Sequence, residues 1–147
     1  PLIAVSTLQA MAIAGISKMK SDRTLQKNLW FCPMIDARRM EVYSAVYDYK
    51  GKLMREIRPE VIDENAFANE LEEREIVFSG DGSKKCAGIL AHQPNAIFLA
   101  DVVPSAKFMI PLALEKFNDE NFEDTAYFEP FYLKDFIAGK PRVKGLK

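Results

Sequence analysis

The chain has 147 residues, of which 48% are hydrophobic and 28% carry a charged side chain. This is the size and composition of one globular domain with a real core, and it is too short for two domains of ordinary size. The formal net charge of -1 gives no overall attraction to nucleic acid or to an anionic membrane. No apolar run reaches the length of a membrane span and nothing resembles a cleavable secretion signal, so we expect a cytoplasmic protein.

The cysteines and the histidine limit the chemistry that the chain can perform. Cys32 and Cys86 are far apart in sequence and form no CxxC motif, so neither a metal site nor a disulfide framework is indicated. Cys32 lies in an apolar segment and is interpreted as a small core residue. His92 is the sole histidine, which removes most schemes that pair a histidine with a nucleophile, and we expect it at a helix end facing water. No metal and no cofactor are expected.

The chain begins with a predicted helix from about residue 7 to residue 19. Ser6 and Gln9 have the spacing of a capping box, in which the two side chains satisfy backbone amides at a helix start. Apolar side chains recur at steps of three and four residues, so one stripe should face a core. The predicted stripe consists of Leu8, Met11, Ala12, Gly15 and Met19.

Residues 30 to 58 predict an antiparallel meander of three strands. Residues 30 to 35 are apolar on both faces, as expected of a strand in the middle of a covered sheet, and residues 40 to 49 are rich in Val and Tyr. Gly51 marks the second turn, where a positive φ is expected. The first turn carries an acid and two bases, which either bind a ligand or form a solvated turn, and chemistry alone favours the solvated turn. This hairpin tip contains Asp36, Arg38 and Arg39, with Glu41 directly after it.

A strand, helix and strand passage follows the meander. Asp63 is expected to cap a helix that runs to about Glu73, and Ile62 with Phe67 has the spacing of a hydrophobic staple. The next strand, residues 75 to 79, then lies parallel to its neighbour through a right-handed crossover.

A glycine-rich turn, residues 80 to 85, leads from that strand into the next helix. Backbone amides and the helix dipole at such a junction can hold an anion or a nucleotide, so Gly80, Asp81 and Gly82 form a candidate vestigial nucleotide loop. The turn lacks the usual P-loop and dinucleotide glycine patterns. Two glycines in a tight strand-to-helix turn also need no ligand to explain them.

The last third of the chain predicts one more strand and one more helix. Residues 96 to 100 form a short apolar strand, Pro104 is placed to open the helix, and Pro111 should bend it. The aromatic run from residue 127 to residue 133 should pack on the body of the protein, and residues 140 to 147 are predicted to be a flexible basic tail. The predicted buried face of the helix consists of Met109, Ile110, Ala113, Leu114 and Phe117.

Taken in order, the predicted elements are a helix, three antiparallel strands, and then alternating helices and strands. This order is typical of a ribonuclease-H-like lobe, the unit that is doubled in actin-like ATPases and sugar kinases. The fold class is therefore α/β, with a mixed five-stranded sheet and helices on both faces. The strand at residues 30 to 35 should be central, with the meander on one side and the parallel strands on the other.

Four segments carry a more specific resemblance. Residues 5–10 (VSTLQA), 35–43 (IDARRMEVY), 78–82 (FSGDG) and 129–133 (EPFYL) resemble, in this order, the TsaB (YeaZ) family of bacterial tRNA threonylcarbamoyladenosine biosynthesis proteins. The resemblance covers nearly the whole chain. It implies that residues 1–147 are the single C-terminal lobe of a two-lobed protein whose N-terminal lobe is absent from this chain.

The resemblance also implies a function, namely that of a catalytically inactive paralogue within an enzyme complex. Its partners would be a TsaD-type paralogue, which performs the threonylcarbamoyl transfer, and a TsaE-type ATPase. A homodimer is a further option, and tRNA would be contacted only through the complex. Arg38 stands where the phosphate turn of actin-like ATPases has a glycine. Asp36, Arg38, Arg39 and Glu41 are therefore interpreted as a cluster for assembly or ligand recognition.

The alternative is an enzyme, the lobe of an ATP-dependent kinase-like phosphotransferase. In that case Asp36 would hold a magnesium ion, Arg38 or Lys84 a phosphate, and Gly80 with Gly82 the adenosine. Peptidase activity has less support, because the sequence contains no pair of histidines for a metal and no convincing nucleophile.

Overall fold

The computed structural model describes residues 1 to 134 of the chain. The strands are β1 (Trp30–Asp36), β2 (Glu41–Asp48), β3 (Leu53–Val61), β4 (Ile76–Ser79) and β5 (Ala96–Leu99). The helices are α1 (Thr7–Ser21), α2 (Ala68–Glu73), α3 (Asp81–Leu90) and α4 (Met109–Asn118), with a short 3-10 helix at Ala106–Phe108. None of the described helices combines the length and the apolar character needed to cross a membrane.

The five strands found in residues 1 to 134 form one mixed sheet in the order β3-β2-β1-β4-β5. β1 pairs antiparallel with β2, and β2 pairs antiparallel with β3. β4 and β5 extend the other side of β1 as parallel strands. The central position of β1, the meander and the parallel strands are all confirmed. The run from Phe31 to Met34 is buried throughout, as expected of a strand with neighbours on both edges and helices on both faces.

Each face of the sheet carries its own core. On one face Phe31 and Tyr47 pack with Leu8 of α1. On the other face Cys32 packs with residues of α2 and α3, including Cys86. Phe31 and Cys32 are consecutive and belong to opposite cores, because successive side chains of a strand point to opposite faces. The predicted α/β fold with helices on both faces is confirmed.

The start of α1 is fastened to the turn between β2 and β3. Ser6 accepts a hydrogen bond from the backbone amide of Gln9 at 3.4 Å, as predicted. The Gln9 side chain does not return to Ser6 but donates to the carbonyl of Gly51 at 3.4 Å, so only half of the capping box forms. Gly51 has a φ of 83°, as the turn required. The predicted apolar stripe of α1 is buried.

The predicted start of α2 was wrong. Asp63 accepts a hydrogen bond from the amide of Asn65 at 2.9 Å within a turn, so its side chain caps no helix. Phe67 stands at the N-cap position with a left-handed φ of 64°, and the helix begins only at Ala68. Ile62 and Phe67 are nevertheless both buried in the core beside α2 and α3.

Two predictions for α4 were also wrong. Pro104 does not open the helix, because α4 begins at Met109. Pro111 therefore lies in the first turn, where a backbone amide has no partner within the helix, and a bend is not required. The predicted buried face points to solvent. Its large side chains are 41% (Met109), 57% (Ile110), 56% (Leu114) and 52% (Phe117) exposed.

The aromatic run at residues 127 to 133 contains no helix or strand, and most of its rings are exposed. Tyr127, Phe131 and Tyr132 are among the most exposed large apolar side chains of the described residues. The prediction that this run packs on the body was therefore wrong for most of its aromatic rings. The predicted basic tail at residues 140 to 147 lies outside the described residues.

Candidate functional site

The turn between β1 and β2 presents two guanidinium groups to solvent. Asp36 ends β1, and its carboxylate accepts a hydrogen bond from the amide of Arg38 at 2.7 Å. Arg38 and Arg39 follow with φ values of 73° and 47°, a region that non-glycine residues seldom occupy. Both arginines are exposed, and neither side chain bonds to another residue in the described part of the chain.

Lys85 of α3 fixes the carboxylate of Asp36. Its ammonium lies 2.5 Å from that carboxylate and 2.7 Å from the backbone carbonyl oxygen of Glu41. The bond from Lys85, assisted by the amide of Arg38, lowers the pKa of the Asp36 carboxyl below its ordinary value. Asp36 is therefore an ionised and paired group that joins the hairpin tip to α3.

A side chain of the protein itself accepts a hydrogen bond from a backbone amide at the N-terminus of α3. The carboxylate of Asp81 accepts hydrogen bonds from the amide of Asp36 at 3.1 Å and from the amide of Gly82 at 2.9 Å. Amides at a strand-to-helix turn are the groups that would otherwise bind a phosphate. The hairpin tip and the glycine-rich turn, which the sequence predicted separately, thus form one connected site.

Packing accounts for both glycines of this turn. Gly80 has a φ of 96°, and a Cβ at this position would lie 2.3 Å from the carbonyl oxygen of Met34. A Cβ at Gly82 would lie 3.0 Å from Met34 Cβ and from Val42 Cγ1. The glycines allow the start of α3 to approach β1 closely, so no nucleotide is needed to explain them.

A cleft of about 800 Å³ opens beside the hairpin tip. Its walls come from residues 4–8 before and within α1, residues 128–134, side chains of the sheet and Lys116 of α4. Ile35 and Tyr43 contribute from β1 and β2. The ammonium of Lys134 pairs with the carboxylate of Glu41, so the segment of residues 128–134 is joined to the tip. A mostly apolar cleft with a few polar groups at its rim is typical of a binding site.

Most of the predicted site residues come together around this junction. Asp36, Arg38, Arg39 and Glu41 lie on the hairpin, and the carboxylate of Asp81 reaches it from the glycine-rich turn. Lys84, the alternative phosphate ligand, is exposed and bonds to none of these groups.

Sequence reasoning missed Lys85 and Lys134. The only local signal for Lys85 is that it follows Asp81 by four residues, which places both on one side of α3. Nothing local indicated the contact of Lys134 with Glu41, because 93 positions separate the two residues.

The remaining candidate reactive groups are unsuited to nucleophilic catalysis. Cys32 and Cys86 are buried, and burial raises the pKa of both thiols. His92 is exposed just after α3, as predicted, with its Nδ1 atom 2.7 Å from the carbonyl oxygen of Ile89. Among residues 1 to 134 no group of three or more His, Cys, Asp or Glu side chains is placed to hold a metal ion.

No family model and no curated protein matches the chain. Several solved structures do match it. A crystal structure of an uncharacterized protein with similarity to peptidase YEAZ from Pseudomonas aeruginosa matches with a TM-score of 0.64 and 23% identity, over 91% of this chain and 59% of that chain. YeaZ from Pseudomonas aeruginosa matches with a TM-score of 0.55 and 23% identity, over 90% of this chain and 59% of that chain.

The fold is that of the YeaZ structures. At 23% identity the likeness establishes the fold and not the activity. The match covers 59% of the length of each of these two neighbours.

Proposed function

We propose that this chain acts as a TsaB-type protein, a non-catalytic partner of a TsaD-type transferase in tRNA threonylcarbamoyladenosine biosynthesis. Its sheet and helices would then be a ribonuclease-H-like lobe of the actin-like ATPase superfamily, corresponding to the C-terminal lobe of a two-lobed protein. The likeness of the fold to the YeaZ structures supports this proposal, as do the four segments that resemble the TsaB family.

One observation carries the proposal: the four family-like segments lie next to one another in the fold. Residues 5–10, 35–43 and 129–133 each contribute to the walls of the cleft. The fourth segment, residues 78–82, is joined to them by the hydrogen bond between the Asp36 amide and the Asp81 carboxylate. Segments so far apart in sequence have no local reason to meet, and a chance resemblance would not be expected to gather at one site.

The contacts at this site favour a non-catalytic role over the kinase-like alternative. A phosphate at the start of α3 would compete with the Asp81 carboxylate for the amides of Asp36 and Gly82. A magnesium ion at Asp36 would compete with the ammonium of Lys85. In both places a group of the chain would compete with a nucleotide or its metal ion. We assign the ATPase function to the TsaE-type partner.

The arginines of the hairpin tip are the groups we assign to recognition within the complex. A guanidinium is a rigid fork of donors that matches a carboxylate or a phosphate. The contacts of Asp36 with Lys85 and with the Arg38 amide fix the turn that carries Arg38 and Arg39. The two guanidinium groups therefore extend from a backbone held by hydrogen bonds. Their ligand would be an anionic group of the assembled complex.

The test is tRNA modification by the full-length protein reconstituted with its TsaD-type and TsaE-type partners. Arg38→Ala with Arg39→Ala should reduce modification about tenfold or more, because two charge-assisted contacts are lost. The matched control is Lys20→Ala with Arg23→Ala. This variant also removes two exposed positive charges, one of them on a residue with a left-handed φ of 57°. Undiminished modification by a folded tip variant would contradict the assignment of the tip.

A further inference from the structure

Residues 129 to 134 form one wall of the cleft and are here called the strap. The strap contains no helix or strand, and the rings of Phe131 and Tyr132 within it are mostly exposed. The sheet contributes Ile35 and Ile57 to the same cleft. The position of the strap therefore decides how much of this apolar sheet surface is open to solvent.

The chain leading up to the strap is fixed to the body of the protein. The amide of Glu123 donates a hydrogen bond to the carbonyl oxygen of Leu2 at 2.9 Å, and the carboxylate of Glu123 lies 3.4 Å from the ammonium of Lys116 in α4. The amide of Phe128 then donates to the carbonyl oxygen of Asp124 at 2.7 Å, which closes a turn directly before the strap. The start of the strap is thus held by several contacts.

The far end of the strap is held by one contact. The ammonium of Lys134 pairs with the carboxylate of Glu41. Among residues 1 to 134, no other hydrogen bond or ion pair connects the strap to the body of the protein. The side chain of Lys134 is 48% exposed, and an ion pair as accessible to water as this one contributes little to stability. The strap is therefore fixed at its start and weakly held at its end.

We propose that the strap opens and closes the cleft, turning about the residues after Phe128, with the pair of Lys134 and Glu41 as its latch. Because the latch is weak, the open and closed positions differ little in free energy and both are populated. Few buried apolar contacts and no backbone ladder are the features of segments that open locally while the rest of the fold stays intact. Pro130 lies close to the pivot, and its fixed φ limits bending there, so the strap moves as one piece.

The latch also joins the strap to the hairpin tip. The amide of Glu41 donates to the carbonyl oxygen of Arg38 at 3.1 Å, and the carbonyl oxygen of Glu41 accepts from Lys85 at 2.7 Å. Glu41 is thus the fixed half of the latch, and Lys134 is the moving half. A ligand at the tip that displaces the Glu41 carboxylate would release the strap. All of these contacts belong to the chain itself, so the strap does not depend on the proposed function.

Isoleucine methyl NMR of the chain tests the strap, because Ile35 and Ile57 line the same cleft as its aromatic rings. We expect the methyl shifts of both residues to move as NaCl is raised from about 0.1 M to about 1 M, since salt screens the latch and increases the open population. The methyl shifts of Ile76, in the core on the other face of the sheet, should stay constant. Glu41→Gln should give, already at low salt, the shifts that the wild type reaches at high salt.

Two further variants distinguish the latch from a general effect of charge. Lys134→Met removes the other half of the latch, so it should reproduce the shifts of Glu41→Gln, and the double variant should add nothing. Glu129→Gln removes a negative charge from the strap at an exposed residue that has no ion pair in the described part of the chain. It should keep the shifts and the salt dependence of the wild type. Wild-type shifts that do not respond to salt, additive effects of the two latch variants, or an equal effect of Glu129→Gln would each overturn the proposal.

Discussion

Asp36 is the residue at which the two functional interpretations of this chain separate. A kinase-like lobe needs its carboxylate free for a metal ion, whereas the structure gives that carboxylate to the ammonium of Lys85 and the amide of Arg38. The same two donors lower the pKa of the Asp36 carboxyl. The pair with Lys85 is thus a bracing contact between the hairpin tip and α3.

We predict that Lys85→Met raises the pKa of Asp36 towards its ordinary value, because the largest cause of its lowering is removed. Titration of the Asp36 side-chain carboxyl carbon by NMR measures this directly. Lys84→Met is the matched control, since Lys84 is the neighbouring exposed lysine and touches no group of the tip. An equal change in the Lys84 variant would show a general effect of net charge.

The same pair makes a prediction about acid stability. Because the folded pKa of Asp36 lies below the unfolded value, its contribution is present above the unfolded pKa and is lost as the pH falls through the folded pKa. The free energy of unfolding of the wild type should therefore fall more steeply than that of Lys85→Met as the pH is lowered through and below the ordinary range of an aspartate. Parallel curves of the two proteins in denaturant titrations at a series of acidic pH values would contradict this.

At Gly80 neither the backbone conformation nor the space around it accommodates a side chain. Its φ of 96° is left-handed, and a Cβ would meet the carbonyl oxygen of Met34 at 2.3 Å. We expect Gly80→Ala to lower the free energy of unfolding by about 2–4 kcal/mol. Gly88→Ala in α3, the helix that follows Gly80, is the control, since a Cβ there meets nothing within 4 Å. That substitution should instead stabilise the protein by about 0.4–1 kcal/mol. Equal effects of the two substitutions in guanidinium unfolding would refute the close-approach explanation.

At the scale of elements, a charged network attaches β3 to α2. The guanidinium of Arg55 lies 2.7 Å from the carboxylate of Glu60 and 2.9 Å from that of Glu70, and it covers the ring of Phe67 at 4.3 Å from the centroid. Arg58 also binds Glu60, at 2.8 Å, but its side chain is 51% exposed whereas that of Arg55 is 15% exposed. The carboxylate of Glu60 therefore pairs with one largely buried arginine and with one solvent-exposed arginine.

We predict that Arg55→Ala lowers the free energy of unfolding by about 2–4 kcal/mol, because it leaves two sheltered carboxylates short of a partner and removes the contact with Phe67. Arg58→Ala should change it by less than about 1 kcal/mol, as is usual for a solvated pair. Denaturant unfolding of both variants measures the difference. Similar losses of unfolding free energy in the two variants would show that the partial burial of Arg55 does not strengthen its ion pairs.

The elements also show what the sequence could and could not predict. The meander and the order of the sheet followed from local patterns, because apolar runs and turn residues act within a few positions. The start of α2 failed because Asp63 bonds to a nearby amide in a turn, a choice that competes with helix capping. The apolar face of α4 was correctly recognised as apolar but wrongly predicted to be buried. Periodicity shows which side of a helix is apolar, and only the rest of the fold shows what covers it.

The site was predicted less completely than the sheet for a related reason. The sequence indicated Asp36 and Asp81 as separate candidate site residues. It did not indicate the hydrogen bond between them, which joins two turns that are 45 positions apart. The walls of the cleft likewise come from both ends of the described chain. Contacts of this kind depend on how the sheet is assembled, and no local pattern reports them.

At the scale of the whole molecule, the exposed surfaces are not equivalent. β3 forms one edge of the sheet, where unpaired backbone groups could join another chain. Pro59 and the charged side chains of Arg55, Arg58 and Glu60 interrupt that edge, which is how natural sheets resist edge pairing. Pairing of another chain with this edge of the sheet is therefore disfavoured.

The chain by itself should show neither ATPase nor peptidase activity. We expect this chain neither to hydrolyse ATP nor to cleave peptides, because Asp81 occupies the Gly82 amide at the start of α3 and Lys85 pairs with Asp36. Phosphate release and calorimetric titration with ATP and magnesium measure the first activity, and a fluorogenic peptide set measures the second. ATP turnover that persists through repurification, disappears in Asp36→Ala and survives in Asp22→Ala, an exposed aspartate after α1, would establish the kinase-like alternative. Turnover that remains equal in both variants would point to a contaminant, because the two substitutions remove the same charge from the chain and only one alters the hairpin tip.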